Sequence, residues 1–439
     1  MLNQDTKKIL SLAVPAALSN FLDIVQVLID MIMLGRVSPS AIASAGISMQ
    51  FLGLLYAMMA TFSVGTSVVI SRYIGAKQYS QANKTAFSIS VFSLLLSIPF
   101  TILGFFFSKY IFMFMAGSDE VIRLGQEYFS ILALTFPVLF MEMAIYSAFN
   151  AAGDTKTPLK IVIVANIINT VLAYGLIFGN FGFPRLEVKG AAIATAISYY
   201  ISFFMYLYVI NSKHSKIRFE FDFLLEEVKK ILKIGVPSGF ERTLTYFSFL
   251  LFVKIIADYG IYTLAGYQVG LRIEGLAFMP GFGFTIAAMT LVGQSLGSNN
   301  PQKAEKYAKE IIKIASIFMG LMGVAMVIFP EYLAMVFTND KKTIEEASLY
   351  LRIVGLTQIP LAIGFVLSGV LRGAGATKTT LYINTFSLWV LRIIPAYILS
   401  KIFGNILFVY LAMFLETYLK AAILWYFFKK GDWKKIKVS

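Results

Sequence analysis

The residues of this chain best able to do chemistry are carboxyl groups set in apolar sequence. Asp23, Gln26 and Asp30 fall at i, i+3 and i+7 within LAVPAALSNFLDIVQVLIDMIML, residues 12–34. On a helix these positions share one face, so they form a polar stripe along an apolar rod. Glu241, Thr245 and Ser248 repeat the arrangement at i, i+4 and i+7 in a later apolar run. A carboxyl in such surroundings can be neutralised by a proton, a sodium ion or an organic cation. Exchange among these is the chemistry of ion coupling. Asn166 and Asn169, in a third run, are candidates to face the Asp30 stripe, and Gln26 and Thr245 to line the same cavities. Glu142, Arg392, Glu416 and Lys420 also lie in apolar sequence, while Arg272 and Glu274, two apart and so on different faces, are read as structural.

Other chemistry is poorly provided for. There is no Cys and a single His, His214 in a polar loop, which excludes thiolate chemistry, disulfides and a His-ligated metal centre. No GxxxxGK[ST] cradle is present, and the Gly-rich FMPGFGF (278–284) does not follow a soluble strand. An enzyme and an ATP-driven pump are therefore both disfavoured. The energy source left is an ion gradient, with no cofactor beyond a coupling proton or sodium ion, the sodium held at Asp30 or Glu241.

The elements that must carry these groups follow from composition. Of 439 residues, 58% are hydrophobic and only 14% charged, against about 25% charged in soluble domains. Twelve apolar runs are long enough to span a bilayer, at roughly 10–34, 44–71, 86–113, 128–151, 159–179, 190–211, 231–257, 263–293, 311–333, 348–371, 380–401 and 405–428. The net charge of +14 is no sign of nucleic acid, because Lys and Arg sit in the short connections. They divide 22 to 8 between the two sides, which places both termini in the cytoplasm and the chain in the cytoplasmic membrane. The first run is too long for a signal peptide, and no A-x-A site follows it.

The chain then repeats itself at an offset of 222 residues. ILSLAVPAAL (9–18) matches ILKIGVPSGF (231–240), setting Pro15 opposite Pro237. ISRYIGAKQYSQANKTA (70–86) matches VGQSLGSNNPQKAEKYA (292–308), and NAAGDTKTPLKI (150–161) matches RGAGATKTTLYI (372–383). Six spans per half give both halves the same orientation. The expected fold is therefore an all-α integral membrane protein, with twelve transmembrane helices in two six-helix lobes related by a parallel repeat. The expected divisions are a lobe at 1–211, a cytoplasmic linker at 212–230 and a lobe at 231–439. Transporters so built place substrate between the halves near mid-membrane and rock the halves about it. Pro15 and Pro237, which cannot complete the helical hydrogen-bond ladder, are the candidate hinges.

Over nearly its whole length the chain resembles the multidrug and toxic compound extrusion (MATE) transporters. The resemblance rests on LIDMIMLGRVS (28–38), AGDTKTP (152–158), GAGATKTT (373–380), VKGAAIATAIS (188–198) and the long RIEGLAFMPGFGFTIAAMTLVGQSLG (272–297). It implies two lobes in a V and export of cationic or amphiphilic compounds in exchange for protons or sodium ions. Asp30 matches the first-helix carboxylate of the family, Pro15 the bending proline of its DinF-like branch, Asn166 and Asn169 its fifth-helix amides, and Glu241 its seventh-helix glutamate. Two departures stand out. The acid that follows the amides in that branch is here Ala173, and the run 348–371 holds no Asp or Glu to pair with Glu241.

The functional expectation is an ion-coupled antiporter exporting small organic cations and amphiphiles, a monomer with membrane lipid around it. Asp30, Glu241 and Asp23 are its coupling residues. The rival is a flippase for lipid-linked oligosaccharide or lipid, which Arg242, Arg272 and Arg392 would serve. A channel or receptor fits the duplicated lobes poorly.

Overall fold

The computed structural model describes residues 3–115, 118–213 and 215–438, so His214 lies outside the described residues. Among the described residues the chain is helical throughout, without a strand. The first half forms α1 (Gln4–Gly35), α2 (Pro39–Gly75), α3 (Tyr79–Met115), α4 (Asp119–Ala133), α5 (Phe136–Ala151), α6 (Lys156–Phe178) and α7 (Glu187–Ile210). The second forms α8 (Leu225–Ala257), α9 (Ile261–Gly297), α10 (Pro301–Ile328), the short α11 (Pro330–Met335), α12 (Lys341–Leu356), α13 (Gln358–Gly373), α14 (Thr377–Phe386), α15 (Ile394–Phe403) and α16 (Ile406–Lys430). A π-helical stretch, Ser387–Ile393, joins α14 to α15 just before Pro395.

Nine helical spans are long and apolar enough to cross a membrane, and two bent pairs, α4 with α5 and α12 with α13, each make one more. The remaining span is α8, whose 33 residues include Glu241, Arg242 and Lys254. The twelve transmembrane helices thus form two six-helix lobes, α1–α7 and α8–α16, related by the parallel repeat. Helix α8 begins at Leu225, so the last residues of the expected linker already belong to the second lobe's first helix.

The fourth and tenth spans bend by 51° and 56°. The local cause recurs in both halves, the threonines at the 222-residue offset and the prolines one residue off it. Thr135 and Thr357 each turn their hydroxyl back onto a carbonyl three residues earlier, Leu132 and Val354, at 2.7 and 2.8 Å. Pro137 and Pro360 then follow, each lacking the N–H a continuing helix would use.

The lobes meet along α2 against α8 and α1 against α9. The closest approaches are reciprocal. A Cβ on Gly75 would lie 2.0 Å from the Gln294 carbonyl oxygen, and one on Gly297 2.2 Å from the Arg72 carbonyl oxygen. Each glycine's partner is the repeat equivalent of the other's, so only glycine lets the backbones touch at both places. Side chains finish the seam: Arg72 Nη2 donates to the Ala374 carbonyl at 3.0 Å, and Gln294 Nε2 to the Ala151 carbonyl at 2.8 Å. At the start of α8, Glu227 is buried and accepts from Tyr73, Gln81 and Lys230 at 2.9–3.1 Å. All these contacts lie at the end of the molecule where both termini emerge.

Candidate ion and substrate sites

Helix α1 carries Gln26 and Asp30 one turn apart, and both are buried. The Gln26 amide is fully used. Its Nε2 donates to Asp30 Oδ1 at 2.9 Å and to Asn169 Oδ1 at 2.6 Å, and its Oε1 accepts from Thr170 at 3.0 Å. Asn169 in turn donates to Thr195 and Ser198 of α7 at 3.3 and 3.2 Å. Asp30 is therefore the end of a chain of neutral amides and hydroxyls running from α1 through α6 to α7. Among the described residues it has no Lys, Arg or His within ion-pair distance. The protein orients this carboxyl but supplies no charge to balance it. A proton or a cation from outside must do so whenever the site is dehydrated.

The other predicted residues of this lobe divide. Asp23 lies on the accessible side of α1, with no hydrogen-bond partner among the described residues. Asn166 does not reach the Asp30 stripe; its amide donates to the Leu22 carbonyl at 3.0 Å and fastens α6 to α1. Ala173, fully buried, supplies no acid one turn beyond Asn169. A carboxyl does enter this lobe from α5: Glu142 accepts from Ser202 at 2.6 Å, and its second oxygen is buried without a partner. Its charge and that of Asp23 lie within electrostatic reach of each other.

Helix α1 passes through Pro15 without a break. The missing N–H leaves the Ser11 carbonyl without its helical donor, and the Thr155 hydroxyl supplies one at 3.3 Å. Thr155 belongs to the AGDTKTP block, so the repeated motif was the available signal for it.

In the second lobe Glu241 is also buried, but its surroundings differ. Arg372 Nη2 and Asn384 Nδ2 donate to Oε1 at 2.5 and 2.6 Å, and the Thr380 hydroxyl donates to Oε2 at 3.1 Å. Arg372, read from sequence as a loop cation, sits at the end of α13 and supplies the partner that no acid in that span could. Thr245 and Ser248 spend their hydroxyls on carbonyls of their own helix, those of Glu241 and Thr245, at 2.7 Å each. Pro237 lies within continuous α8, and Arg242 stacks 5.8 Å from the Phe282 ring centroid. Among the described residues there is no group of three or more His, Cys, Asp or Glu able to hold a metal ion.

A membrane-embedded, duplicated helical bundle with a separate buried carboxyl in each half defines a polytopic membrane transporter. The chain belongs to the MatE family: that family's model matches residues 15–175 and again 237–398, the same repeat that relates the lobes. It is 30% identical to a probable multidrug resistance protein, NorM, of Thermotoga maritima over 98% of this chain and 93% of that one. A probable multidrug resistance protein of Bacillus subtilis, YoeA, is 26% identical over 88% of this chain and 85% of its own. An FAD transporter of Shewanella oneidensis is 24% identical over 84% and 82%. Among solved structures, a MOP superfamily transporter from Pyrococcus furiosus superposes with a TM-score of 0.90 at 21% identity, covering 99% of this chain and 98% of that one. An outward-facing multidrug resistance MATE family transporter gives the same values.

Proposed function

We propose that this transporter exports small organic cations and amphiphilic compounds across the cytoplasmic membrane in exchange for protons or sodium ions, with both termini in the cytoplasm. The observation that carries the reading is Asp30: a buried carboxyl held by neutral groups alone, on the proline-bearing first helix of its lobe. With no fixed countercharge, the carboxyl can be balanced by a proton or by an arriving cation, so the site can change occupant at modest cost. Ion and substrate then compete through the conformational equilibrium, each shifting it only by its differential affinity for the two states. Asp23, exposed on the same helix, draws cations toward the cavity. Pro15 lets α1 change its bend as the occupant of Asp30 changes. The protein acts as a monomer in lipid, without a further cofactor.

Among the basic residues that would serve a flippase for an anionic pyrophosphate, Arg392 is bound to Glu416, and the nearby Arg372 is bound to Glu241. That leaves fewer free cations for such a headgroup and favours the cation exporter. The deciding experiment is efflux of a fluorescent organic cation from proteoliposomes, under a pH gradient alone and then a sodium gradient alone. Efflux under one of them is expected. Efflux under neither, with movement of an anionic lipid-linked sugar instead, would overturn the reading.

A further inference from the structure

The repeat assigns every residue of the Asp30 site a counterpart in the second lobe; Gln26 and Asn169 correspond to neutral Ser248 and Leu391, but two of the counterparts are charged. Thr170 corresponds to Arg392, Ser198 to Lys420, Thr195 to Thr417 and Asp30 itself to Phe252. Burial supports carrying the offset into the last helix: buried Val188, Gly190, Ala191, Ala194 and Tyr206 of α7 match buried Tyr410, Ala412, Met413, Glu416 and Phe428 of α16. In the second lobe the carboxylate comes from Glu416, fully buried on α16, rather than from the lobe's first helix. Arg392 donates to its Oε2 through Nε and Nη2 at 3.1 and 2.5 Å, and Lys420 Nζ lies 3.1 Å from its Oε1. The guanidinium of Arg392 stands 5.9 Å from the ring of Phe252, where the first lobe has Asp30. A second buried carboxyl, Glu274, accepts from Tyr350 at 2.5 Å and lies within Coulombic reach of Arg392. Tyr350 is the counterpart of Tyr128, which lies within Coulombic reach of Asp30.

We infer that the second lobe contains a counterpart of the cation-exchange site that is permanently balanced from within, Arg392 and Lys420 supplying the positive charge that the first lobe takes as a proton or a sodium ion. The charge count carries the argument. In the first lobe Asp30 and Glu142 have only neutral hydrogen-bond partners. In the second, Glu416 pairs with both Arg392 and Lys420, and Glu274, bonded to Tyr350, lies within Coulombic reach of Arg392, so two tethered cations stand against two carboxyls and no outside ion is needed. Uncovering a buried carboxylate shared by an Arg and a Lys is strongly unfavourable, which keeps this cluster closed while the first lobe exchanges. The π-helical stretch that carries Arg392 turns its side chain toward α16 at this point, and such stretches often mark functional positions. The exchange therefore uses one site per molecule, although the fold contains two.

This rests on the Asp30 reading only for the identity of the exchanged ion. The test is thermal unfolding of the purified full chain, with sodium replacing potassium at constant ionic strength, and at pH values below the range where phenols ionise. The titratable or charged groups around Glu416 are then Arg392, Lys420 and Glu274, with Tyr267, Tyr350 and Tyr410 neutral; near Asp30 stands Tyr128. Asp30→Asn is expected to remove the ion-dependent part of the Tm shift. Adding Lys420→Gln to that variant is expected to create a new proton or sodium dependence, because Glu416 and Glu274 then outnumber the tethered cations; Lys420→Arg should create none. A Lys420→Gln variant that folds and shows no new dependence overturns the inference. Should Lys420→Gln not fold, the decision falls to Glu416→Gln in the Asp30→Asn background. Ion dependence that persists in Asp30→Asn and disappears with Glu416→Gln overturns the inference. Persistence that Glu416→Gln does not affect leaves it standing and removes Asp30 from the coupling role instead.

Discussion

Asp30 and Glu241 are both buried carboxyls on the first helix of their lobes, each beyond a proline inside that helix. They nevertheless do opposite things. Asp30 meets one amide, Gln26, and through it a row of neutral groups. Glu241 meets Arg372, with Asn384 and Thr380 taking up the rest of its oxygens. The first is oriented without being neutralised; the second is neutralised in place. Duplication has therefore preserved the scaffold while the charge balance diverged. On the proposed function, a carboxyl left unbalanced, as Asp30 is, has reason to bind and release an ion in each cycle.

The sharpest break in this comparison is Asp30→Asn. The amide keeps an acceptor for Gln26, so stability should change by no more than about 1 kcal/mol, while gradient-driven efflux is lost. Wild-type efflux from this variant would move coupling elsewhere, with Glu241 next in line. On the other side, Arg372→Ala strands a buried carboxylate and should lower stability by about 3–5 kcal/mol, read by thermal unfolding in detergent. Combining it with Glu241→Gln should recover most of that loss. A double variant as unstable as the single would mean that Arg372 acts through some other contact.

Glu241→Gln alone is expected to fold and to export more slowly, since the amide oxygen still accepts from Arg372 but the ion pair is gone. Unchanged efflux would place this pair among the supports of the fold. Pro15→Ala should reduce turnover more than substrate affinity, because the Ser11 carbonyl regains a helical donor and α1 stiffens. Equal effects on rate and affinity would argue against a hinge. Asp23→Asn should be the mildest, slowing efflux by less than tenfold, under about 1.4 kcal/mol. A loss matching that of Asp30→Asn would make the two a coupled pair and would bring Glu142, the nearby carboxyl on α5, into the mechanism.

Much of this was legible in the chain because it depends on local sequence. Twelve apolar runs, the 222-residue offset and the Asp30 stripe follow from spacing alone. The prolines behind the two bent spans were visible too, at Pro137 and Pro360, but an apolar run of spanning length does not say whether it is straight. The partners were not legible. Arg372 falls one residue past the apolar run 348–371, among the cations of the connections. It reaches Glu241 because α8 crosses α14 and the end of α13 at that height, a matter of packing between residues 131 apart. Likewise Asn169 finds Gln26, whereas Asn166, three residues before it, is turned to the Leu22 carbonyl.

The sequence by itself determined that this is a duplicated helical membrane protein and which side chains carry charge into its interior, since hydropathy and spacing are properties of the chain. Which of those charges are already balanced was decided only by the tertiary structure. Charge balance depends on distances of 3 Å between helices far apart in sequence, and a shift of one residue in packing register moves a side chain by about 100° around its helix axis.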